Sequence, residues 1–118
     1  MQLVSGSELF APDEAGFRRP IIDTGDGPVR AYAFATAPNG ECVYHCHARS
    51  VEVFVAIDGE GVIVVDGKET RMRKGDAMIV EPGEFHLVRG DDDPLQLLCV
   101  VAPNLDDAVF AESAPPRS

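Results

Sequence analysis

The chain has 118 residues, 45% of them hydrophobic, which is enough for one domain that buries its own core. Twenty Asp and Glu residues stand against ten Lys and Arg residues, so the formal net charge is -10. A surface of this sign repels phosphate backbones and anionic membranes, and we therefore expect neither nucleic acid nor a membrane as a partner.

The predicted elements change character after residue 28. Residues 1–28 include the turn cluster DTGDGP and predict an irregular segment that packs on the rest of the domain. Beyond it, short apolar runs alternate with Gly and Pro turns, which is typical of an all-β sandwich or barrel. The predicted strands are, in order, VRAYAFAT, ECVYHCH, SVEVFVAI, GVIVV, KETRM, AMIV and LQLLCVV. The sequence LDDAVFAE is compatible with one turn of helix before a frayed tail.

The compartment is predicted from the N-terminus and the cysteines. MQLVSGSELF has no basic start followed by a long apolar run, and no stretch approaches the roughly 20 apolar residues of a membrane span. The three cysteines are an odd number without the spacing of a disulfide framework. We therefore expect a cytoplasmic protein with reduced thiols.

Two of the three histidines lie one residue apart, in YHCHARSVEVF at residues 44–54. Residues i and i+2 of a strand point to the same face, so His45 and His47 project together, with Cα atoms about 6.5 Å apart. Glu52 lies in an apolar strand, where a buried carboxylate needs a partner, and His86 follows a distant Pro-Gly turn. Three imidazoles and one carboxylate suit a divalent Zn, Fe, Mn, Ni or Cu ion and leave coordination positions open, as in catalytic sites. The alternative is a pair of surface histidines beside a strand.

The residues around this stretch resemble the first motif of the cupin family. That motif is Gly, five residues, His-x-His, three or four residues, Glu, six residues and Gly. This sequence matches it with four residues instead of five after the first glycine, at Gly40, His45, His47, Glu52 and Gly59.

The second cupin motif is matched less fully. It reads Gly, five residues, Pro-x-Gly, two residues, His, three residues and Asn, and this chain supplies Gly75, Gly83 and His86. Glu81 stands at the position of the proline and Gly90 at that of the asparagine, so neither departure removes a ligand.

The resemblance covers roughly residues 28–103 and implies the double-stranded β-helix, or jelly roll, of the cupins. It implies that the four ligands face the barrel interior. It also divides the chain into an N-terminal segment at 1–28, a barrel at 29–105, and a C-terminal turn and tail at 106–118. Small cupins resemble one another in pairing their exposed edge strands, so we expect a homodimer.

Three aromatic residues are candidates for lining a substrate pocket, although aromatic residues at such positions are more often plain core: Tyr32, Phe34 and Phe54. Phe54 shares the strand face of Glu52, which makes it the strongest of the three. Cys42 and Cys46 have the opposite strand parity to the histidines, and we expect them to pack in the core rather than to bind the same ion.

Two functions are compatible with these features. The first is a metal-dependent enzyme acting on a small molecule, of dioxygenase, isomerase or lyase type. The second is a non-catalytic cupin module that binds a small metabolite or a sugar, which the lack of an obvious acid or base among the interior-facing residues favours. Neither the substrate nor the metal follows from the sequence, because the fold hosts many chemistries. No catalytic residue is assigned at this level.

Overall fold

The structure is a computed structural model that describes residues 1–23, 25 and 27–117. Two residues of the predicted turn cluster, Thr24 and Asp26, lie outside the described residues. The described part contains ten strands and one short helix, α1 (Gly6–Leu9). The strands are β1 (Phe17–Asp23), β2 (Arg30–Ala35), β3 (His45–His47), β4 (Val51–Asp58), β5 (Gly61–Val65), β6 (Lys68–Met72), β7 (Ala77–Val80), β8 (His86–Gly90), β9 (Gln96–Ala102) and β10 (Ala108–Phe110).

The strands form two antiparallel sheets of five. The first sheet has the order β1-β2-β9-β4-β7 and the second has the order β10-β3-β8-β5-β6. Neighbours such as β2 and β9, or β3 and β8, are far apart in sequence, because the chain passes repeatedly between the two sheets. This is the double-stranded β-helix predicted from the sequence, and the all-β prediction is confirmed.

The core lies between the sheets and forms the floor of a cavity. In β4, every second side chain points into the barrel, which buries Glu52, Phe54 and Ala56 on one face. The buried cluster contains Phe54, Ala56, Ile63, Met72, Val80, Val88, Leu95, Leu97 and Cys99. Phe54 and Val88 also line the cavity, so the apolar core holds the cavity wall in place.

Two strands lie where the sequence predicted none. β1 falls in the segment predicted to be irregular, and it pairs with β2 at the edge of the first sheet. FRRPIID lacks clean alternation of apolar and polar residues and contains Pro20. Proline has no N–H to donate, and an edge strand tolerates it because one side of that strand pairs with no neighbour. β10 replaces the predicted helical turn, because residues 108–110 pair with the otherwise open edge of β3.

Gly59 illustrates why the turns need their glycines. Its φ is +80°, and a Cβ atom at this position would collide with the carbonyl oxygen of Pro94. Gly67 also has a positive φ, +82°, but a Cβ atom there would meet nothing within 4 Å. Gly59 is therefore required by close approach of the backbone as well as by φ.

In the part of the chain that the structure describes, no helix has the length and apolar character needed to cross a bilayer.

Candidate metal centre

The two sheets bring the four predicted ligands together. His45 and His47 lie on β3 and His86 on the adjacent β8, whereas Glu52 reaches across from β4 in the other sheet. One ligand atom of each residue lies within 4.8 Å of those of the other three. Glu52 and His86 are both only 1% exposed, so the cluster is inside the barrel as the cupin resemblance implied.

Backbone carbonyls orient two of the histidines. Nδ1 of His45 lies 2.8 Å from the carbonyl oxygen of Val43, and Nδ1 of His86 lies 3.0 Å from that of Glu84. A carbonyl oxygen only accepts hydrogen bonds, so both Nδ1 atoms carry the ring proton. The Nε2 atoms then keep the lone pair that binds a metal.

A carboxylate holds the third histidine. Nδ1 of His47 lies 3.2 Å from Oδ1 of Asp107. The other oxygen of Asp107 accepts hydrogen bonds from the backbone N–H of Arg49 at 2.8 Å and of Ser50 at 3.0 Å, and from the Ser50 hydroxyl. Burial raises the pKa of Asp107, but these hydrogen bonds outweigh it, so the pKa is lowered and the group stays ionised. A carboxylate behind a histidine is a common support for metal ligation.

The ligand atoms point at one another, and a positive charge between them would stabilise this arrangement. Oε1 of Glu52 lies 3.1 Å from Nε2 of His47 and 3.1 Å from Nε2 of His86, and the Tyr32 hydroxyl donates to Oε2. If each ring carries its only proton on Nδ1, lone pairs at Nε2 point at a carboxylate oxygen and repel it. Extra ring protons or a metal cation relieve this repulsion. The donor set therefore fits a divalent ion.

The pKa directions agree with this arrangement. Burial raises the pKa of Glu52, but hydrogen bonds from His47 and His86, each donated by an additional proton on Nε2, and from Tyr32 outweigh it and hold the pKa below its usual value in the metal-free cluster. The hydrogen bond to Glu52 raises the pKa of His47, against the opposing effect of burial. Burial lowers the pKa of His45, and burial together with the charge of Glu52 raises the pKa of Tyr32. Glu52 is thus a carboxylate, and Tyr32 keeps its hydroxyl proton.

The four ligands line a cavity of about 550 Å³. The predicted aromatic residues Tyr32, Phe34 and Phe54 all lie on its wall, together with Phe110. Tyr32 has a second role that the sequence did not indicate, since its hydroxyl contacts Glu52. That the cavity receives a substrate stays a prediction.

Comparison with known proteins decides the family. The family model described as "Cupin domain" matches residues 32–101, which is more than half of the chain. This protein is a cupin. MJ1618, an uncharacterized protein of Methanocaldococcus jannaschii, is 28% identical to it over 79 residues. That match covers 65% of this chain and 63% of MJ1618, so the cupin spans less than two thirds of the relative.

Solved structures agree with the fold. An uncharacterized conserved protein with a double-stranded β-helix domain from Klebsiella pneumoniae is 23% identical to the cupin, with a TM-score of 0.82. The match covers 96% of this chain and 99% of that protein. The DMSP lyase DddQ from Ruegeria pomeroyi is 20% identical with a TM-score of 0.73, over 85% of the cupin and 54% of the lyase. At these identities the likeness shows the fold alone.

Two cavity residues of the cupin, and one residue behind a ligand, were missed or misplaced by the sequence reasoning. Cys42 packs against the core as predicted, but it also lines the cavity instead of facing away from the histidines, because residues 42–44 are not in a regular strand and strand parity does not apply. Arg30 was not singled out, although its alternation with Tyr32 on β2 gave a signal. Asp107 gave none, because its partner His47 is 60 positions away.

Proposed function

We propose that this cupin is a metal-dependent enzyme acting on a small molecule. In this proposal His45, His47, Glu52 and His86 hold one divalent transition metal ion, with Zn, Fe, Mn, Ni and Cu as the candidates. The observation that carries it is the convergence of four ligand atoms within 4.8 Å on the wall of a cavity of about 550 Å³. A purely structural ion needs no cavity beside it, whereas an enzyme needs space for its substrate.

A divalent ion bound there would supply a Lewis acid for an oxygen atom of the substrate. The chain itself supplies a proton and an apolar wall. Tyr32 holds a proton on its hydroxyl oxygen, next to Glu52 and facing the cavity. Phe34 and Phe54 give the same wall an apolar surface.

Within this proposal we favour a lyase or isomerase over a dioxygenase. Lyase and isomerase reactions both transfer protons, and the Tyr32 hydroxyl is a proton-carrying group beside the four ligands. The DMSP lyase DddQ has a similar fold, so the fold accommodates lyase chemistry in at least one protein.

The alternative is a cupin that binds a metabolite or a sugar without turning it over. Burial and the charge of Glu52 raise the pKa of Tyr32, and its proton is already donated to Glu52, so a phenol that keeps this state transfers protons poorly, which favours this alternative. The enzyme proposal requires that a cation bound by Glu52 weakens this effect. A screen of small molecules distinguishes the enzyme from the binding module. A binding module would show a higher melting temperature with its ligand but would not consume that ligand.

Metal analysis tests the proposal. We would measure the metal content of untagged wild type, His47→Ala, Glu52→Gln and the control Glu81→Gln after growth with each candidate ion. Glu81 is exposed and is not one of the four residues of the cluster, so the control removes the same charge elsewhere. We expect about one ion per chain in wild type and control, and loss of most of it in the other two. Wild type that stays free of every candidate ion would refute the site.

Oxygen uptake then separates the reaction types. A dioxygenase consumes oxygen with its substrate, whereas a lyase or an isomerase turns over at the same rate without oxygen. An oxygen requirement in turnover would contradict the preference for proton-transfer chemistry.

A further inference from the structure

Two arginines line the wall of the ligand cavity in a chain whose net charge is -10. We propose that the cavity takes a small organic molecule with one carboxylate group and an apolar body, and that Arg18 and Arg30 bind the carboxylate. This inference rests on the proposed function, since it names the substrate class for the same cavity.

Arg18 has donors to spare. Its guanidinium lies 4.3 Å from the centre of the Tyr32 ring, in a cation–π contact. Among the described residues it has no hydrogen bond and no carboxylate within ion-pair distance. Asp23 on the same cavity wall is near enough to feel the charge of Arg18 but forms no ion pair with it within 4 Å. The N–H groups of Arg18 are therefore available to bind an anion through two parallel hydrogen bonds.

Arg30 is held in place and also has a donor left over. Its Nη1 donates to the side-chain oxygen of Asn104 at 2.8 Å and to the carbonyl of Leu105 at 3.2 Å. Its Nε is buried and has no hydrogen-bond partner among the described residues. Water does not reach this Nε, whereas Nη2 makes no hydrogen bond among the described residues and is not fully buried. A ligand oxygen can therefore accept from Nη2, and Nε adds a second donor if the guanidinium shifts toward the ligand.

The strand register brings both arginines to the side of Tyr32. Arg30, Tyr32 and Phe34 alternate along β2 and all line the cavity. Arg18 on β1 pairs with Phe34 in the ladder, so its side chain approaches Tyr32 from the Phe34 side, whereas Arg30 lies on the other side of Tyr32 along β2. Because the Tyr32 hydroxyl contacts Glu52, a carboxylate bound beside Tyr32 would be on the side of the cavity that holds the four ligands.

The rest of the wall limits the charge and polarity of the molecule. Asp23 and Asp106 line the same cavity, so a phosphate dianion meets more repulsion than a carboxylate. Phe34, Phe54 and Val88 give an apolar surface for the remainder of the molecule. The volume of about 550 Å³ is in the range of small-molecule sites.

Matched pairs of a carboxylate and its amide test this inference, because they have nearly the same shape and differ in charge. We would titrate metal-loaded and metal-free protein calorimetrically, at low salt, with benzoate and benzamide, phenylacetate and phenylacetamide, and hexanoate and hexanamide. At least one carboxylate is expected to bind the metal-loaded wild type about tenfold more tightly than its amide.

Variants assign the preference to the arginines. Arg18→Gln and Arg30→Gln are each expected to reduce it about tenfold, whereas Arg73→Gln, at an exposed arginine outside the cavity, leaves it unchanged. Arg18 has no hydrogen bond to lose, so its variant remains informative if Arg30→Gln folds poorly. Melting temperature and metal content are measured for every variant.

Carboxylates that bind no more tightly than their amides would overturn the inference. So would a preference that survives in both cavity variants, because the metal ion would then bind the carboxylate unaided. Tighter binding of phenyl phosphate than of benzoate would overturn the single-charge requirement. If the chain takes up no metal but prefers carboxylates over amides through the arginines, the anion site is upheld and the metal site is refuted. If the chain takes up metal but shows no preference for carboxylates, the metal site is upheld and the anion site is refuted.

Discussion

Replacing Asp107 with Asn tests how His47 is made ready for a metal. One oxygen of Asp107 accepts from the ring Nδ1, and the other accepts from the backbone N–H groups of Arg49 and Ser50. The Asn oxygen preserves the backbone contacts only by turning its NH2 group toward Nδ1. The ring must then carry its proton on Nε2, and a protonated nitrogen cannot bind the ion.

The size of the effect follows from these contacts. Loss of a carboxylate behind a metal-binding histidine lowers metal affinity about 10- to 100-fold, or about 1.4 to 2.7 kcal/mol. We expect Asp107→Asn near the upper end, because it changes the position of the ring proton as well as the support. Ser50→Ala removes one donor to Asp107 at 3.1 Å and leaves the ring proton in place, so we expect roughly a threefold loss or less.

Competition of Zn²⁺ between the protein and a chromogenic chelator near neutral pH measures these affinities. Asp106→Asn is the matched control, because it removes the same charge one residue earlier and Asp106 is not part of the ligand cluster. If Asp107→Asn and Asp106→Asn bind Zn²⁺ within about a factor of two of each other, then Asp107 does not set the ring proton of His47.

Three further predictions concern stability. The folded-state pKa of Glu52 is lowered, so the ionised group stabilises the fold above about pH 4.5, and this stabilisation is lost as the pH falls below that value. In metal-free protein, Glu52→Gln should make the free energy of unfolding fall less steeply with decreasing pH. An unchanged slope would contradict this prediction. Gly59→Ala should cost about 3 kcal/mol or more in urea unfolding and Gly67→Ala about 1 kcal/mol, because only Gly59 meets a backbone atom; equal costs would refute the collision. Leu97→Ala, at a fully buried position, should cost about 2–5 kcal/mol in the same assay, whereas the exposed Ile79→Ala should cost under about 0.5 kcal/mol.

The sequence predicted the parts of the fold whose residues alternate clearly. β4 and β5 are strongly apolar with turns at both ends, and their burial follows the pattern. β1 and β10 owe their strand conformation to a neighbouring strand that supplies hydrogen bonds, and no local pattern reports that neighbour.

The same reasoning explains the uneven success at the site. His45, His47 and Glu52 are close in sequence, so spacing along two strands and the cupin resemblance were enough to group them. The role of Asp107 depends on residues 103–108 folding back over β3, which local patterns do not encode. The homodimer and the cytoplasmic location stay predictions.

The division of the four ligands between two sheets has a consequence for the motions of the barrel. An ion held by the histidines of β3 and β8 and by Glu52 of β4 would join the sheets across the cavity. Amide hydrogens that exchange with solvent only when the sheets separate should then exchange more slowly, and by a similar factor in β4 and β8, once metal is added. Amides of the edge strands β6 and β7, which exchange by local fraying, should keep their rates. Isotope exchange would thus report occupancy of the centre from the backbone alone, before any substrate is known.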